Sequence, residues 1–255
     1  MIELKTPTEI AAMREAGRVV AATLATVQRH ATVGTSLQNL DEIARAVITD
    51  GGAKPSFLHY HPHFAPTPFP AVICTSVNDV IVHGIPTDYR LADGDLLSVD
   101  CGAYIDGWHG DAAISFTVGR ARPADQRLIE TTHEALEAGI AAAQPGNRIG
   151  DIAAAVGRGA RRAGYGIPPD FGGHGVGRAM HEAPSVPNDG RQGRGLLLQT
   201  GLVLAIEPMF LAGGRDGYTV DSDGWSLRTV DGTRAAHAEH TVAVTDDGPQ
   251  VLTTP

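Results

Sequence analysis

The stretch SVDCGAYIDGWHGDAAISF, residues Ser98 to Phe116, reads as an apolar β-hairpin into which two aspartates, Asp100 and Asp111, have been set. Asp106-Gly107 in its middle is a dipeptide that favours a two-residue turn with positive φ at both central positions. Such a turn puts Ile105 opposite Trp108 and Asp100 opposite Ala113, with Asp111 diagonally beside Asp100 on the same face. Leu97, Val99, Cys101 and Ala103 then join Ala112, Ile114 and Phe116 on one face, while Leu96, Ser98, Asp100, His109, Asp111 and Ser115 share the other. One face is predicted to pack under helices and the other to carry adjacent carboxylates.

The same interruption recurs twice. In LVLAIEPM the alternate residues Leu202, Leu204 and Ile206 are apolar and Glu207 points the other way, with Pro208 keeping it extended. In AEHTVAV, Glu239 lies on the face opposite Val242 and Val244. A single acid on an antiparallel strand normally faces water. Four acids in the most apolar strands, brought together without partners, would repel one another until cations or protons neutralised them. No lysine or arginine lies near them in sequence, so metal is the natural counter-charge. An imidazole donor is available in FGGHGVGRAMHEAP, where His174 stands among Gly172, Gly173, Gly175 and Gly177, a spacing that does not match a phosphate-binding glycine loop. Four carboxylates match two divalent ions in charge; one ion would leave half the charge unbalanced.

Around these strands the chain alternates in type. Thr6, Pro7 and Glu9 form a helix start that predicts a helix to about His30. A second begins near Ser36, lines up Leu37, Leu40, Ile43, Val47 and Ile48, and stops at Gly51 and Gly52. Short strands fill Ala71 to Phe116. Pro123 then opens a helix to about Ala143, and Ile149 to Ala163 forms another that ends at Gly164, before a second group of strands. Helix pair, strands, helix pair, strands is a duplicated architecture, so the expectation is an α+β fold, a curved antiparallel sheet covered by two helix pairs, with residues 1–255 as a single catalytic domain.

Composition narrows the function. Hydrophobic residues make up 42% of the 255 residues and charged residues 19%, which suits a folded globular chain rather than disorder. A formal charge of −9 argues against a broad nucleic-acid-binding face. Cys74 and Cys101 lie in apolar runs and read as packed thiols, which suits a reducing compartment. The N-terminus has no apolar signal region and the richest later run is cut by Gln199 and Glu207, so a cytoplasmic chain without membrane attachment is expected.

These spaced motifs resemble those of the short bacterial methionine aminopeptidases, within the pita-bread, creatinase-like peptidase group, over nearly the whole chain. The resemblance implies that Asp100 chelates one ion, that Asp111 and Glu239 bridge two ions, and that His174 and Glu207 ligate the second. His83, in SVNDVIVHGIP, and His181, in RAMHEAP, match two further active-site histidines around the scissile peptide. The implied roles are oxyanion stabilisation for His181 and proton transfer for Glu207. Phe57, Tyr60, Phe69, Cys74, Met180 and Trp225 match an apolar pocket for the methionine side chain. Two positions depart from the pattern: Met180 stands where such enzymes often have Phe, and His237 where Gln is common.

The implied activity is metal-dependent removal of an N-terminal methionine from nascent proteins and peptides when the next residue is small. Two divalent ions drawn from cobalt, manganese, iron or zinc would serve it. Nascent chains would be the partners, with transient ribosome association and a monomeric enzyme. The alternatives are a peptidase specific for residues before proline, whose relatives generally add a large N-terminal domain, or a non-catalytic binding module on the same fold. The histidine cluster His59, His61 and His63 is flanked by prolines and has no acidic neighbour, so a rim over the substrate entrance is expected there rather than a metal site. His240, on the apolar side of its strand, is expected to be a hydrogen-bonded core residue.

Overall fold

The computed structural model describes residues 2–63 and 65–255. Its first half contains α1 (Pro7–His30), α2 (Leu37–Asp50), β1 (Lys54–Pro55), β2 (Ile73–Val77), β3 (Val80–Val82), β4 (Leu96–Ile105) and β5 (Trp108–Thr117). The second half follows with α3 (Pro123–Ala142), α4 (Ile149–Ala163), β6 (Gly172–Gly175), β7 (Glu182–Pro187), β8 (Val203–Ile206), β9 (Met209–Leu211) and β10 (Tyr218–Val220). It closes with β11 (Leu227–Thr229), β12 (Ala235–His237), β13 (Glu239–Thr245) and β14 (Gly248–Val251).

Local chemistry explains the helix ends. Glu9 Oε2 accepts the Thr6 backbone N–H at 2.8 Å while Thr6 Oγ1 accepts the Glu9 N–H, a reciprocal cap at the start of α1. Asp151 performs half of that function for α4, accepting the Arg148 N–H at 2.7 Å. Gly164 ends α4 in the left-handed region, with φ 78°. The hairpin turn forms as expected: Asp106 and Gly107 have φ of 49° and 89°, and Ile105 pairs with Trp108.

Among the described residues the main sheet has nine strands, ordered β1-β4-β5-β13-β8-β6-β7, with β2 also on β4 and β14 on β13. All its pairings are antiparallel. The β5–β13 ladder joins the two halves through Glu239 opposite Ala113 and His240 opposite Ala112. Two small sheets, β10-β11-β3 and β12-β9, flank it.

Each helix pair seals one half. In the first, Val20, Leu24, Leu40 and Ile48 from the helices bury against Ile73, Val99 and Cys101 of the sheet. In the second, Leu136, Ile152 and Val156 bury against Leu204, Ile206, Val242 and Val244. Each such aliphatic side chain contributes about 1.5–3 kcal/mol of transfer free energy. The approach of α1 to the hairpin depends on glycine: a Cβ on Gly110 would lie 2.9 Å from the backbone nitrogen of Gly17. The other face of the sheet, free of helices, holds the acids.

Candidate metal centre

Sheet register determines which side chains meet. Asp100 on β4 stands opposite Ala113 on β5, and Ala113 stands opposite Glu239 on β13. Because β13 pairs with β8 through His240 opposite Ile206, extending that register by one residue brings Glu207 beside Glu239. Asp100, Ala113, Glu239 and Glu207 therefore form one row across the sheet. Two residues along, on the same face, runs a second row: Gly102, Asp111, Thr241, Ala205 and His174. Thr241 Oγ1 locks this row by accepting the Asp111 N–H at 2.9 Å and donating to its carbonyl at 2.8 Å. The small residues between the acids leave a space that the carboxylates share. Glu207 departs slightly from expectation, lying just past the end of β8 rather than within it.

The electrostatics of this face call for cations. Among the described residues no lysine or arginine is in ion-pair contact with these carboxylates; the basic side chains nearest to them are the imidazoles of His174 and His237. Burial pushes Asp100 up to about 7 and Glu207 up to about 7. Asp111 and Glu239 are held well above the usual carboxylate range, first by burial and then by repulsion from the neighbouring acids. Asp100 Oδ1, Asp111 Oδ1 and Glu239 Oε1 are buried and have no hydrogen-bond partner among the described residues. Such orphaned anionic oxygens fit a divalent ion, whose charge and coordination would satisfy them.

His174 is prepared for the same task. Its Nδ1 lies 2.8 Å from the Gly175 carbonyl, which can only accept, so Nδ1 keeps its proton and Nε2 is the nitrogen left to bind an ion. That Nε2 stands 3.7 Å from Asp111 Oδ2 and 3.5 Å from Glu207 Oε1. Among the described residues, two donor groups can close on one ion: Asp111, His174 and Glu239, and Glu207, His237 and Glu239. They share Glu239. The expected ligands Asp111, His174, Glu207 and Glu239 all belong to these groups, and Asp100 stands beside them in the first row, lining the same cavity.

That cavity, of about 400 Å³, opens above the acids. Phe57, Tyr60, Phe69, Cys74 and Trp225 line it, together with His83, His181 and Phe171. Met180 sits behind this wall, packed in the same apolar cluster as Phe57, Phe69, Cys74 and Trp225, and is not itself a lining residue. Burial and the nearby acids push the Cys74 thiol up, so it stays protonated and apolar. His181 stacks on Tyr60 with ring centroids 5.0 Å apart and lies 4.1 Å from the His174 ring. Burial, with smaller effects from His174, His83 and His109, pushes His181 down to about 3. Burial and His237 push His83 down to about 4. Both imidazoles are thus neutral near pH 7 and able to donate an N–H without carrying charge.

His83 is held under strain. Its φ of 60° is in the left-handed region, a cost of about 1–2 kcal/mol for a residue with a Cβ. Gly84 follows it against Thr75, whose N–H donates to the Gly84 carbonyl at 2.7 Å. Strain of this kind at a cavity wall points to a positioned functional group.

Among the described residues, the histidines of the loop at 59–63 belong to neither donor group, although Tyr60 and Phe69 of the same loop line the cavity. His59, His61 and His63 are exposed, and His61 Nε2 lies 3.1 Å from the Ala65 carbonyl. The loop closes on itself through His59 N–H to Phe69 O and Phe69 N–H to Tyr60 O, both 2.8 Å. Trp225 Nε1 clamps it by donating to the Thr67 carbonyl. His240 has the polar partner expected of it, Thr253 Oγ1 at 2.8 Å from Nδ1. The residue that sequence reasoning missed is His237, noted only as a departure although it lies on the acid face two residues before Glu239.

Comparison with known proteins agrees with this geometry. The profile of metallopeptidase family M24 matches residues 11–246. This chain belongs to metallopeptidase family M24. Among its relatives in the family, methionine aminopeptidase 1 of Mycobacterium tuberculosis (strain CDC 1551 / Oshkosh) is 54% identical over 252 residues, covering 96% of this chain and 92% of the relative. Methionine aminopeptidase 1 of Bacillus subtilis (strain 168) is 43% identical over 253 residues, covering 99% of both. The crystal structure of methionine aminopeptidase from Thermotoga maritima superposes with a TM-score of 0.95 at 37% identity, over 100% of both chains. Prolidase from Pyrococcus furiosus shares the pita-bread fold at a TM-score of 0.79 and 21% identity, and this chain covers 65% of it. Among the described residues no helix is long and apolar enough to cross a membrane.

Proposed function

We infer that this M24 metallopeptidase removes the N-terminal methionine from proteins and peptides whose second residue is small, and that it holds two divalent ions. The observation that carries this reading is the pair of buried histidine–carboxylate groups sharing Glu239 at the floor of an apolar cavity. Asp100, Asp111, His174, Glu207 and Glu239 would hold the ions. When bound, the ions supply Lewis acidity to the attacked carbonyl and acidify water near neutral pH. One imidazole among carboxylates admits cobalt, manganese, iron or zinc.

The chain's own groups account for the rest. Phe57, Tyr60, Phe69, Cys74 and Trp225, with Met180 behind them, form an apolar wall suited to a thioether side chain. Glu207, whose carboxylate faces the same cavity, is assigned to take a proton from the attacking water and return it to the leaving amine. His181, neutral and fixed by its stack on Tyr60, donates to the oxygen that gains charge. His83, on the cavity wall beside Phe171 and Trp225, holds the peptide. The retained ligand set argues against a non-catalytic module, and the higher identity to methionine aminopeptidases than to the prolidase, 54% against 21%, argues against a prolidase-like enzyme. A cytoplasmic monomer that meets nascent chains as they leave the ribosome accords with this activity.

The test is release of the first residue from short peptides by chelated and metal-reconstituted enzyme. Met-Gly and Met-Ala peptides are expected to be cleaved well, Met-Leu poorly, and only with metal. Faster release of leading residues before proline, or full activity of chelated protein, would overturn the reading.

A further inference from the structure

Serine completes the pattern of rows. Beside the row Asp100, Ala113, Glu239 and Glu207 runs a third, Ser98, Ser115 and His237, again two residues along and on the same face. Ser115 Oγ fixes His237 at both backbone groups, accepting its N–H at 2.9 Å and donating to its carbonyl at 2.7 Å. Ser98 Oγ supports Ser115 Oγ at 2.7 Å. The central row of carboxylates is therefore flanked by one imidazole on each side, His174 and His237.

The distances assign His237 the same relation to the acids that His174 has. His237 Nε2 lies 3.5 Å from Glu207 Oε2 and 3.8 Å from Glu239 Oε2; His174 Nε2 lies 3.5 Å from Glu207 Oε1 and 3.7 Å from Asp111 Oδ2. A direct N–H to carboxylate hydrogen bond spans about 2.7–3.2 Å, so His237 is too distant to make one. Two donors about 2.0–2.2 Å from one tetrahedral ion stand about 3.4 Å apart, which these separations approach. His237 Nε2 is buried and has no hydrogen-bond partner among the described residues. Glu207 presents one oxygen to each imidazole.

We propose that His237 is a metal ligand, so that the centre holds two imidazoles, with His174 serving one ion position and His237, beside Glu207 and Glu239, serving the other. This goes beyond the ligand set that the family resemblance implies, and it rests on the two-ion reading. An amide at this position, common in similar enzymes, offers a harder oxygen donor. An imidazole shifts the preference of its position from manganese toward zinc, cobalt and iron.

Cobalt(II) titrated into the chelated full-length chain tests this, read by proton NMR for paramagnetically shifted, solvent-exchangeable imidazole N–H signals. Two such signals are expected after two equivalents, and one in His237→Gln, whose affinity for one equivalent should fall about tenfold or more. His174→Ala should likewise retain one signal, which keeps the test decisive if His237→Gln does not fold. A single signal in the wild type, two signals surviving in His237→Gln, or none in His174→Ala overturns the proposal while leaving the metallopeptidase reading intact. Failure of the wild type to bind cobalt at all overturns both.

Discussion

Replacing Glu207 with Gln should abolish turnover and, in the absence of metal, remove a loss of stability that wild type suffers as pH rises from 4.5 to 8. Glu207 is buried among acids and its pKa is pushed up from 4.5 to about 7. Below pH 4.5 the carboxyl is protonated in both the folded and unfolded chain and contributes no pH-dependent term. As pH rises through 4.5 the unfolded chain loses the proton first, so folding must retain a proton or bury a charge, and stability falls until pH passes about 7. The gap, roughly 2.5 pH units at about 1.36 kcal/mol each, makes about 3 kcal/mol at pH 8. The amide of Gln never ionises and escapes this loss. It must still find partners in the site, a cost of about 1–3 kcal/mol, but that cost is independent of pH and cancels when two pH values are compared. Urea denaturation with a chelator present, at pH 4.5 and pH 8, would measure the effect. The stability of Glu207→Gln relative to wild type should improve by about 2–3 kcal/mol between those pH values, or roughly 4–12 °C in Tm at this chain length. A variant whose difference from wild type is the same at both pH values would refute the reasoning, because the carboxyl would then be no harder to ionise in the fold than in the unfolded chain.

Other outcomes follow from the same geometry. Asp111→Ala or Glu239→Ala should lower metal content and abolish peptidase activity, measured by elemental analysis beside a methionyl-peptide assay, since each belongs to a donor group that can close on an ion and Glu239 is shared by both; retained stoichiometric metal would contradict this. His181→Ala should lower kcat by about two to three powers of ten with metal content unchanged, as expected for loss of one oxyanion donor. Lost metal in that variant would instead make His181 a ligand. Replacing His61 and His63 together with Ala should leave metal content and turnover of a short methionyl peptide nearly unchanged while altering KM for longer ones; metal loss would move the centre to the loop.

Much of this was readable in the chain because strand geometry has a fixed period. Once Asp106-Gly107 set the hairpin turn, the opposition of Asp100 to Ala113 followed, and with it the face that Asp111 shares. The capping residues Thr6 and Glu9 likewise gave the start of α1. What escaped was non-local. Gly172 to Gly175 has no side-chain alternation to read, so the pairing of β6 with both β7 and β8, which seats His174 opposite Ala205, has no sequence signature. His237 lies in a three-residue strand too short to show a period, and only the register of Ser115 against it reveals its face. The small sheet β10-β11-β3 was invisible for the same reason, its strands being three residues each.

The seam at Glu239 and Ala113 also bears on the order of folding. Asp100 and Asp111 come from the first half of the chain, and His174, Glu207 and Glu239 from the second. During synthesis the hairpin emerges first, when both aspartates can remain hydrated at little cost. The burial of charge is deferred to the moment when β13 docks along β5 and the two halves close. That docking brings like charges together and strips their water, a cost that a bound divalent cation offsets directly. The centre is thus complete only when both halves of the chain are in place, and its completion depends on the cation that the surrounding solution supplies.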